Sequence, residues 1–156
     1  MIGQTIFDIL TNNIFAKNIF DGFWFPDLPP IEVTKNPALI IANTDESSGP
    51  GEHWCAIFIK KNKKICEYFD PLGQPPENKI DGYSFLPHLN KYSPIVNFNS
   101  VPVQSLTAET CGHHCIYFAC LKAQKYSFKF IMTGKYSSNT AENDATVLKF
   151  VRNNSV

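Results

Sequence analysis

The sequence has no excess of charge, because 14 Lys and Arg residues balance 14 Asp and Glu residues. This balance argues against strong bulk attraction to nucleic acid or to an anionic membrane surface. The chain also lacks any run of about 18 apolar residues, so no membrane-spanning helix is predicted. Its first residues contain no basic segment followed by an apolar run. We therefore expect no secretory signal.

Internal repeats, linkers and low-complexity tracts are also missing. The 156 residues, 44% hydrophobic and 13% aromatic, suit one globular domain spanning residues 1–156 with a substantial core. The cysteines form an odd set, and four of them lie in apolar strand or helix patterns, where free cysteine behaves as a small hydrophobic residue. A reducing, intracellular compartment is the simplest interpretation. The five are Cys55, Cys66, Cys111, Cys115 and Cys120.

A β-hairpin is predicted in the middle of the chain. Residues 53–59 and 65–70 are apolar and β-prone. The polar stretch between them can turn, with Asn62 in the left-handed conformation. A turn centred there places His53 directly opposite Asp70, so that both side chains project from the same face.

A carboxylate opposite His53 can accept its Nδ1 proton and hold the ring in one tautomer. The sequence Pro71-Leu72-Gly73 ends the strand directly after Asp70, which places Asp70 at the rim of the sheet, where catalytic groups tend to lie. The alternative for this pair is a surface His–Asp contact at a strand end.

A reactive thiol is predicted at Cys111. Residues 113–124 contain no Pro or Gly and read as a buried helix, for which Thr110 is a suitable N-cap. Cys111 then occupies the first helical turn, where free N–H groups and the helix dipole favour a thiolate. Gly112 lets a substrate approach the backbone without a side-chain clash.

Gln104 lies seven positions before Cys111, after a predicted strand. Its side-chain N–H can point, together with the Cys111 backbone N–H, at the oxyanion that forms when a thiolate attacks a carbonyl. His53, Asp70, Gln104 and Cys111 together therefore predict a thiol hydrolase.

The ordered set of motifs resembles the adenovirus-type maturation protease (adenain). The resemblance rests on Ala38–Thr44, Gly51-Glu52-His53-Trp54, Tyr68–Gly73, and Gln104 with six residues before Cys111-Gly112. The wider group includes the Ulp1-like proteases that remove ubiquitin-like modifiers. The matching core spans roughly residues 38 to 122.

This resemblance implies a role for each residue. Cys111 would be the nucleophile, His53 the base, Asp70 the group that orients His53, and Gln104 the oxyanion donor. Trp54 would line a narrow tunnel that admits only glycine-like residues beside the scissile bond, since a tight slot penalises larger side chains. The alternative for Trp54 is an ordinary core aromatic residue.

The expected fold class is α+β, with a central mixed or antiparallel sheet and flanking helices. The resemblance implies a papain-like active site in permuted chain order. Helices are predicted at residues 4–10, 84–91 and 141–152, the last with Val147, Leu148 and Val151 on its inner face. Strands are predicted at 38–43 and 93–104. Residues 14–20 suggest a helical turn, residues 23–30 a loop, and residues 126–133 either a strand or an irregular segment.

The leading functional hypothesis is a cysteine endopeptidase that cleaves viral structural precursors at Gly-containing sites during virion maturation. A Ulp1-like isopeptidase is the second hypothesis, because both classes use the same catalytic groups. The third is a non-enzymatic metal-binding or interaction module. Cys111, His114 and Cys115 share a helix face and could bind zinc, with a fourth ligand from His53, Cys55, Cys66 or His88.

The leading hypothesis requires no cofactor or metal for the chemistry. The resemblance implies an activating peptide or DNA, although the neutral charge of the chain gives no support for DNA. The expected partner is a polypeptide substrate, the expected state a monomer, and the expected location the virion and the interior of the infected cell. No membrane partner is expected.

Overall fold

The structure, a computed structural model, describes residues 1–28, 30, 32–45, 47–48, 53–77 and 84–155. Gly51 and Glu52, which precede His53 in the motif that carries the resemblance, lie outside the described residues. Among the helices that are described, none is both long and apolar enough to cross a bilayer.

The centre of the structure is a five-stranded mixed sheet. Its strands are β1 (Phe20–Trp24), β2 (Ala38–Asn43), β3 (Trp54–Lys60), β4 (Ile65–Phe69) and β5 (Asn97–Phe98). They lie in the order β1-β2-β3-β4-β5. The three inner strands pair antiparallel, whereas β1 and β5 are parallel edge strands. The mixed sheet with flanking helices confirms the α+β prediction.

Within the described ranges, five α-helices lie around this sheet: α1 (Gly3–Asn12), α2 (Leu86–Leu89), α3 (Cys111–Ala123), α4 (Phe128–Phe130) and α5 (Thr140–Asn154). Short 3₁₀ turns cover Ala16–Asn18 and Lys61–Lys63, and a π-helical turn covers Ile131–Lys135. Helix α1 overlaps the helix predicted at residues 4–10 and buries Ile6, Ile9 and Leu10.

Both faces of the sheet are covered, so β2 is buried along its whole length and β3 up to its last residue. On one face, α3 packs against β3, and Phe118 stacks on Phe69 with ring centroids 4.6 Å apart. The other face forms a second cluster around Trp24, Ile57 and Leu89. Burial on both faces explains the continuous apolar runs of these strands. It also accounts for the burial of Cys55, Cys66, Cys115 and Cys120, while Cys111 is partly exposed.

The hairpin forms, but its register differs from the predicted one. Ala56 pairs with Phe69 and Lys60 with Ile65, and continuing this register places Cys55, rather than His53, opposite Asp70. The shift arises at the turn, where the 3₁₀ segment inserts extra residues and Lys64, not Asn62, takes the left-handed conformation at φ 52°. The prediction that His53 and Asp70 are directly opposed is therefore wrong. Because the shift is an even number of residues, both side chains still point to the same face.

Other sequence predictions also need correction. The strand expected at 93–104 is confined to β5, and residues 20–24, expected as turn and loop, form β1. Residues 126–133 contain a helical turn, since Ser127 caps α4 by accepting the Phe130 N–H. On α5, Val147 and Val151 are buried, but Leu148 is 41% exposed. Thr110 precedes α3 as expected but makes no side-chain capping bond.

Candidate active site

The imidazole of His53 meets the carboxylate of Asp70 at the end of β4. His53 Nε2 lies 2.6 Å from Asp70 Oδ1, with the two side chains 16% and 3% exposed. The sequence argument expected Nδ1 at this position, and the structure places Nε2 there instead. The ring reaches Asp70 along a diagonal of the hairpin, which is within range of a long side chain. Nδ1 is therefore the ring nitrogen left to face the crevice.

Asp70 is fixed by the turn that follows it. The Leu72 backbone N–H donates to Asp70 Oδ1 at 2.8 Å, and the Gly73 N–H donates to the Asp70 carbonyl at 2.9 Å. Gly73 has φ +73°, and a Cβ there would lie 2.8 Å from the Pro102 nitrogen. Glycine is required on both counts. The Pro71-Leu72-Gly73 sequence thus ends the strand and also orients the carboxylate.

Cys111 is the first residue of α3 and lines the same crevice as His53. Burial raises the pKa of the Cys111 thiol. Hydrogen bonding to His53 and to the backbone at Trp54 and Gly112, together with the charge of His53, outweighs burial, so the thiol pKa is lowered overall. A thiolate is therefore favoured at this position.

The pKa of His53 shifts in the complementary direction. Burial alone lowers it, but hydrogen bonds to Asp70, Cys111 and Cys55 raise the pKa of the imidazole well above its ordinary value. A raised imidazole pKa beside a lowered thiol pKa favours the thiolate–imidazolium ion pair.

Gln104 lies on the same crevice and is 4% exposed. Its Nε2 donates to the Ala108 carbonyl at 2.6 Å, and its backbone N–H donates to the Pro71 carbonyl at 3.1 Å. A primary amide carries two N–H donors, so the bond to Ala108 leaves one for a ligand. The Gln104 side chain is thus bound to the segment that leads into Cys111, and its backbone is bound to the turn that follows Asp70.

The crevice has a volume of about 390 Å³. Trp54 forms part of it but is only 3% exposed, because its Nε1 donates to the Met1 carbonyl at 3.1 Å and its ring packs against Phe23. Gly112 is buried, and a Cβ there would lie 3.1 Å from the Met1 sulfur. The space beside Gly112 is therefore filled by Met1 rather than open to a ligand. The lining residues are Met1, His53, Trp54, Leu72, Gln104, Leu106, Ala108, Glu109 and Cys111.

Cys55 is a residue that sequence reasoning left out of the site. Its sulfur lies within 4.8 Å of the nearest donor atoms of His53 and Asp70, a set of groups that could hold a metal ion. The Cys55 thiol is fully buried, and burial together with the Asp70 charge raises its pKa. The Tyr68 hydroxyl donates to the sulfur at 3.3 Å. A protonated, hydrogen-bonded thiol is a poor metal ligand, which favours a packing role. In the observed hairpin register Cys55 lies opposite Asp70, so a correct prediction of this register would have placed Cys55 beside the site.

The zinc alternative built on α3 does not fit the structure. His114 is fully buried, with Nε2 2.9 Å from Asp144 Oδ1 and Nδ1 3.1 Å from the Tyr136 hydroxyl. Both ring nitrogens are therefore engaged. Cys115 is buried in the core on the same helix, so these side chains do not converge on a ligand site.

Comparison with known proteins identifies the family. Residues 33–144 match the Ulp1 protease family, C-terminal catalytic domain. This segment is most of the chain and contains His53, Asp70, Gln104 and Cys111. The protein belongs to the Ulp1 protease family.

Solved structures support the same fold. The structure is similar to the selenomethionine form of the ASFV pS273R protease, with a TM-score of 0.52 and 22% identity over 78% of this chain. A second crystal structure of that protease gives a TM-score of 0.50 and 18% identity over 78% of this chain. This chain covers 45% and 44% of the chain in these two crystal structures of that protease. No curated protein matches the sequence.

Proposed function

We propose that this protein is a cysteine endopeptidase that cleaves the structural precursor proteins of a virus or virus-like element at glycine-containing sites. The observation that carries the proposal is that the Cys111 thiol lines the same crevice as His53, whose ring is bound to Asp70. Such a set supplies a nucleophile, a base and an orienting group.

The proposed reaction runs through a thioester. The Cys111 thiolate attacks the carbonyl carbon of the scissile bond, and the oxygen takes up the negative charge. The Cys111 backbone N–H and the second N–H of Gln104 donate to that oxygen. His53, as imidazolium, gives its proton to the departing amine, and the C–N bond breaks. Water then attacks the thioester while His53 takes a proton from it, and the carboxylic acid and the Cys111 thiolate are released.

Asp70 has an orienting role in this scheme. Its bond to Nε2 fixes the ring so that Nδ1 faces Cys111, and its negative charge favours the imidazolium. No metal or cofactor is needed for any of these steps.

The preference for glycine is supported by the shape of the crevice. The Trp54 ring packs against Phe23 beside His53, and its Nε1 donates to the Met1 carbonyl, so this bulky side chain narrows the crevice. In this proposal the substrate reaches the space beside Gly112 by displacing the Met1 side chain. A narrow slot of this kind selects small residues mainly by penalising larger ones.

Two similarities to other proteases support a viral substrate, and no individual residue does so. The motifs resemble adenain, and the fold resembles that of the ASFV pS273R protease. With that substrate, the protein would act as a monomer in the virion and in the interior of the infected cell. Activation by a peptide or DNA is part of the same resemblance.

A Ulp1-like isopeptidase is the second candidate, and the family match favours it. Ubiquitin-like modifiers end in flexible glycine-containing tails, which the same narrow crevice would accept. The two candidates differ in substrate rather than in the chemistry of cleavage.

A substrate panel distinguishes these candidates. The purified protein is incubated with a capsid precursor, with a ubiquitin-like fusion and with a peptide series that varies the residue before the scissile bond, each with and without duplex DNA. Cleavage sites are read by mass spectrometry, and Cys111→Ala serves as the inactive control. Cleavage of the precursor after or near glycine supports the proposal, and cleavage of the fusion alone supports the isopeptidase. No cleavage of any substrate contradicts both candidates.

A further inference from the structure

A second histidine–carboxylate pair lies behind the nucleophile. His114, on α3, is fully buried and binds Asp144 of α5 through Nε2 at 2.9 Å, while its Nδ1 meets the Tyr136 hydroxyl at 3.1 Å. Burial lowers the pKa of His114 despite its carboxylate partner. Burial also keeps the Tyr136 hydroxyl protonated by raising its pKa. The neutral ring therefore accepts from Tyr136 and donates to Asp144.

Asp144 uses both of its oxygens to hold the segment that leads into Cys111. The Thr110 hydroxyl donates to Oδ1 at 2.8 Å, and the Ser105 backbone N–H donates to Oδ2 at 3.2 Å. Burial raises the pKa of Asp144, but the three hydrogen bonds from His114, Ser105 and Thr110 lower it overall. The carboxylate is therefore a fixed anion with all three donors aimed at it.

The segment from Gln104 to Cys111 is here called the crevice wall. The bonds from Ser105 and Thr110 to Asp144 tie its two ends together. Inside it, the Ala108 N–H donates to the Ser105 carbonyl at 3.1 Å, and Gln104 Nε2 donates to the Ala108 carbonyl at 2.6 Å. Asp144 binds the residue that follows Gln104 and the residue that precedes Cys111. One carboxylate therefore sets the spacing between the two groups that would donate to the oxyanion.

We propose that Asp144 is a positioning residue for catalysis, which fixes the crevice wall so that Gln104 and the Cys111 backbone N–H converge on the oxyanion. The inference rests on the catalytic roles given to Gln104 and Cys111 under the proposed function. Asp144 itself does not touch the substrate.

The expected consequence is selective for reactions that build up charge on oxygen. Oxyanion donors act only when they are correctly placed in advance, and displacement of a reacting group by about 1 Å can cost about a hundredfold in rate. A thiolate that displaces a halide forms no oxyanion. Loosening the wall should therefore slow acylation of Cys111 and leave its alkylation nearly unchanged.

Two small probes measure these reactions without knowledge of the natural substrate. p-Nitrophenyl acetate acylates Cys111, with release of p-nitrophenolate and formation of a thioester. Iodoacetamide alkylates Cys111, with release of iodide. Thr110→Val removes the hydroxyl that donates to Asp144 with little change in the shape of the side chain, and Thr110→Ser restores that hydroxyl. Asp144→Asn disturbs all the hydrogen bonds that the Asp144 carboxylate accepts. Tyr136→Phe is the matched control, because it removes a hydrogen bond from His114 on the side away from the wall.

Thr110→Val and Asp144→Asn should each slow acylation about tenfold, with alkylation within about twofold of wild type. Thr110→Ser should recover most of the lost acylation, and Tyr136→Phe should lower the melting temperature without slowing acylation.

The proposal is overturned if both wall variants acylate at the wild-type rate, if alkylation falls in parallel with acylation, or if Tyr136→Phe slows acylation as much as Thr110→Val. Failure of the proposed function gives a different result, because wild-type protein would then react with both probes but cut no polypeptide.

Discussion

Asn99 binds the backbone of Asp70 on both sides. Its Oδ1 accepts the Asp70 N–H at 3.0 Å, and its Nδ2 donates to the Asp70 carbonyl at 2.6 Å. Asn99 is 6% exposed and directly follows the short edge strand β5. With these two bonds the Asn99 side chain replaces backbone pairing just beyond the end of β4 and β5. They also hold in place the Asp70 backbone, whose carboxylate binds His53.

Replacing Asn99 by alanine should therefore affect both stability and activity. The buried Asp70 N–H would lose its partner and the Asp70 carbonyl would keep only the Gly73 N–H, at a cost of about 2 kcal/mol in the free energy of unfolding. Peptidase activity should fall about tenfold, since His53 would lose its fixed partner. Denaturant unfolding and a cleavage assay measure the two effects. Asn97→Ala, at an exposed position of the same strand, is the control and should change neither.

The orienting role of Asp70 predicts a graded series of variants. His53→Ala removes the proton donor and acceptor and should lower kcat about a thousandfold. Asp70→Asn keeps an oxygen that can accept from Nε2 but loses the charge that favours the imidazolium, so its loss should be smaller, about ten- to a hundredfold. Steady-state kinetics on one substrate compare the two. Equal losses would argue that Asp70 does more than orient the ring.

The thiol–imidazole contact predicts the pH dependence of Cys111 alkylation. The thiolate is the reactive form, so the rate rises with pH through the Cys111 pKa. Since that pKa is lowered, the midpoint for the wild-type protein should lie below the ordinary value of 9.0. His53→Ala removes the largest contribution that lowers the pKa and should move the midpoint upward. Iodoacetamide rates measured from neutral to alkaline pH test this, and an unmoved midpoint in His53→Ala would contradict the ion pair.

Gly73 should tolerate no side chain, for two separable reasons. Its φ of +73° is strained for alanine but acceptable for asparagine, whereas any Cβ would lie 2.8 Å from the backbone at Val101 and Pro102. If the collision dominates, Gly73→Ala and Gly73→Asn should both lose about 2 kcal/mol or more of unfolding free energy. Thermal or denaturant unfolding compares them. A stable asparagine variant would show that the backbone angle alone matters.

The sequence predicts the local elements of the site better than their relative positions. The start of α3 at Cys111 follows from the uninterrupted apolar run after Gly112, and the end of β4 follows from Pro71 and Gly73. These signals lie within a few residues of the features that they determine. The hairpin register depends instead on how many residues the turn consumes, and the 3₁₀ segment with Lys64 in a left-handed conformation leaves no clear signal.

The long-range partners of the site leave no local signal in the sequence. Asn99 and Asp144 are ordinary polar residues in the sequence, and only the folded chain brings them to Asp70 and to Thr110. The exposure of Leu148 has a similar origin, because the apolar spacing of α5 permits more than one inner face and the contact with α3 decides between them. The contact of His53 with Asp70 was predicted through an incorrect register and was preserved because the hairpin shift is even.

The burial of four of the five thiols has a practical consequence. Cys66 and Cys120 have pKa values raised to about 12 by burial, and Cys55 and Cys115 are completely enclosed, so only Cys111 meets a reagent in the folded protein. Each mole of folded protein should take up a single equivalent of a thiol-directed label, so functional molecules in a preparation can be counted by isotope or fluorophore incorporation without removing any other cysteine.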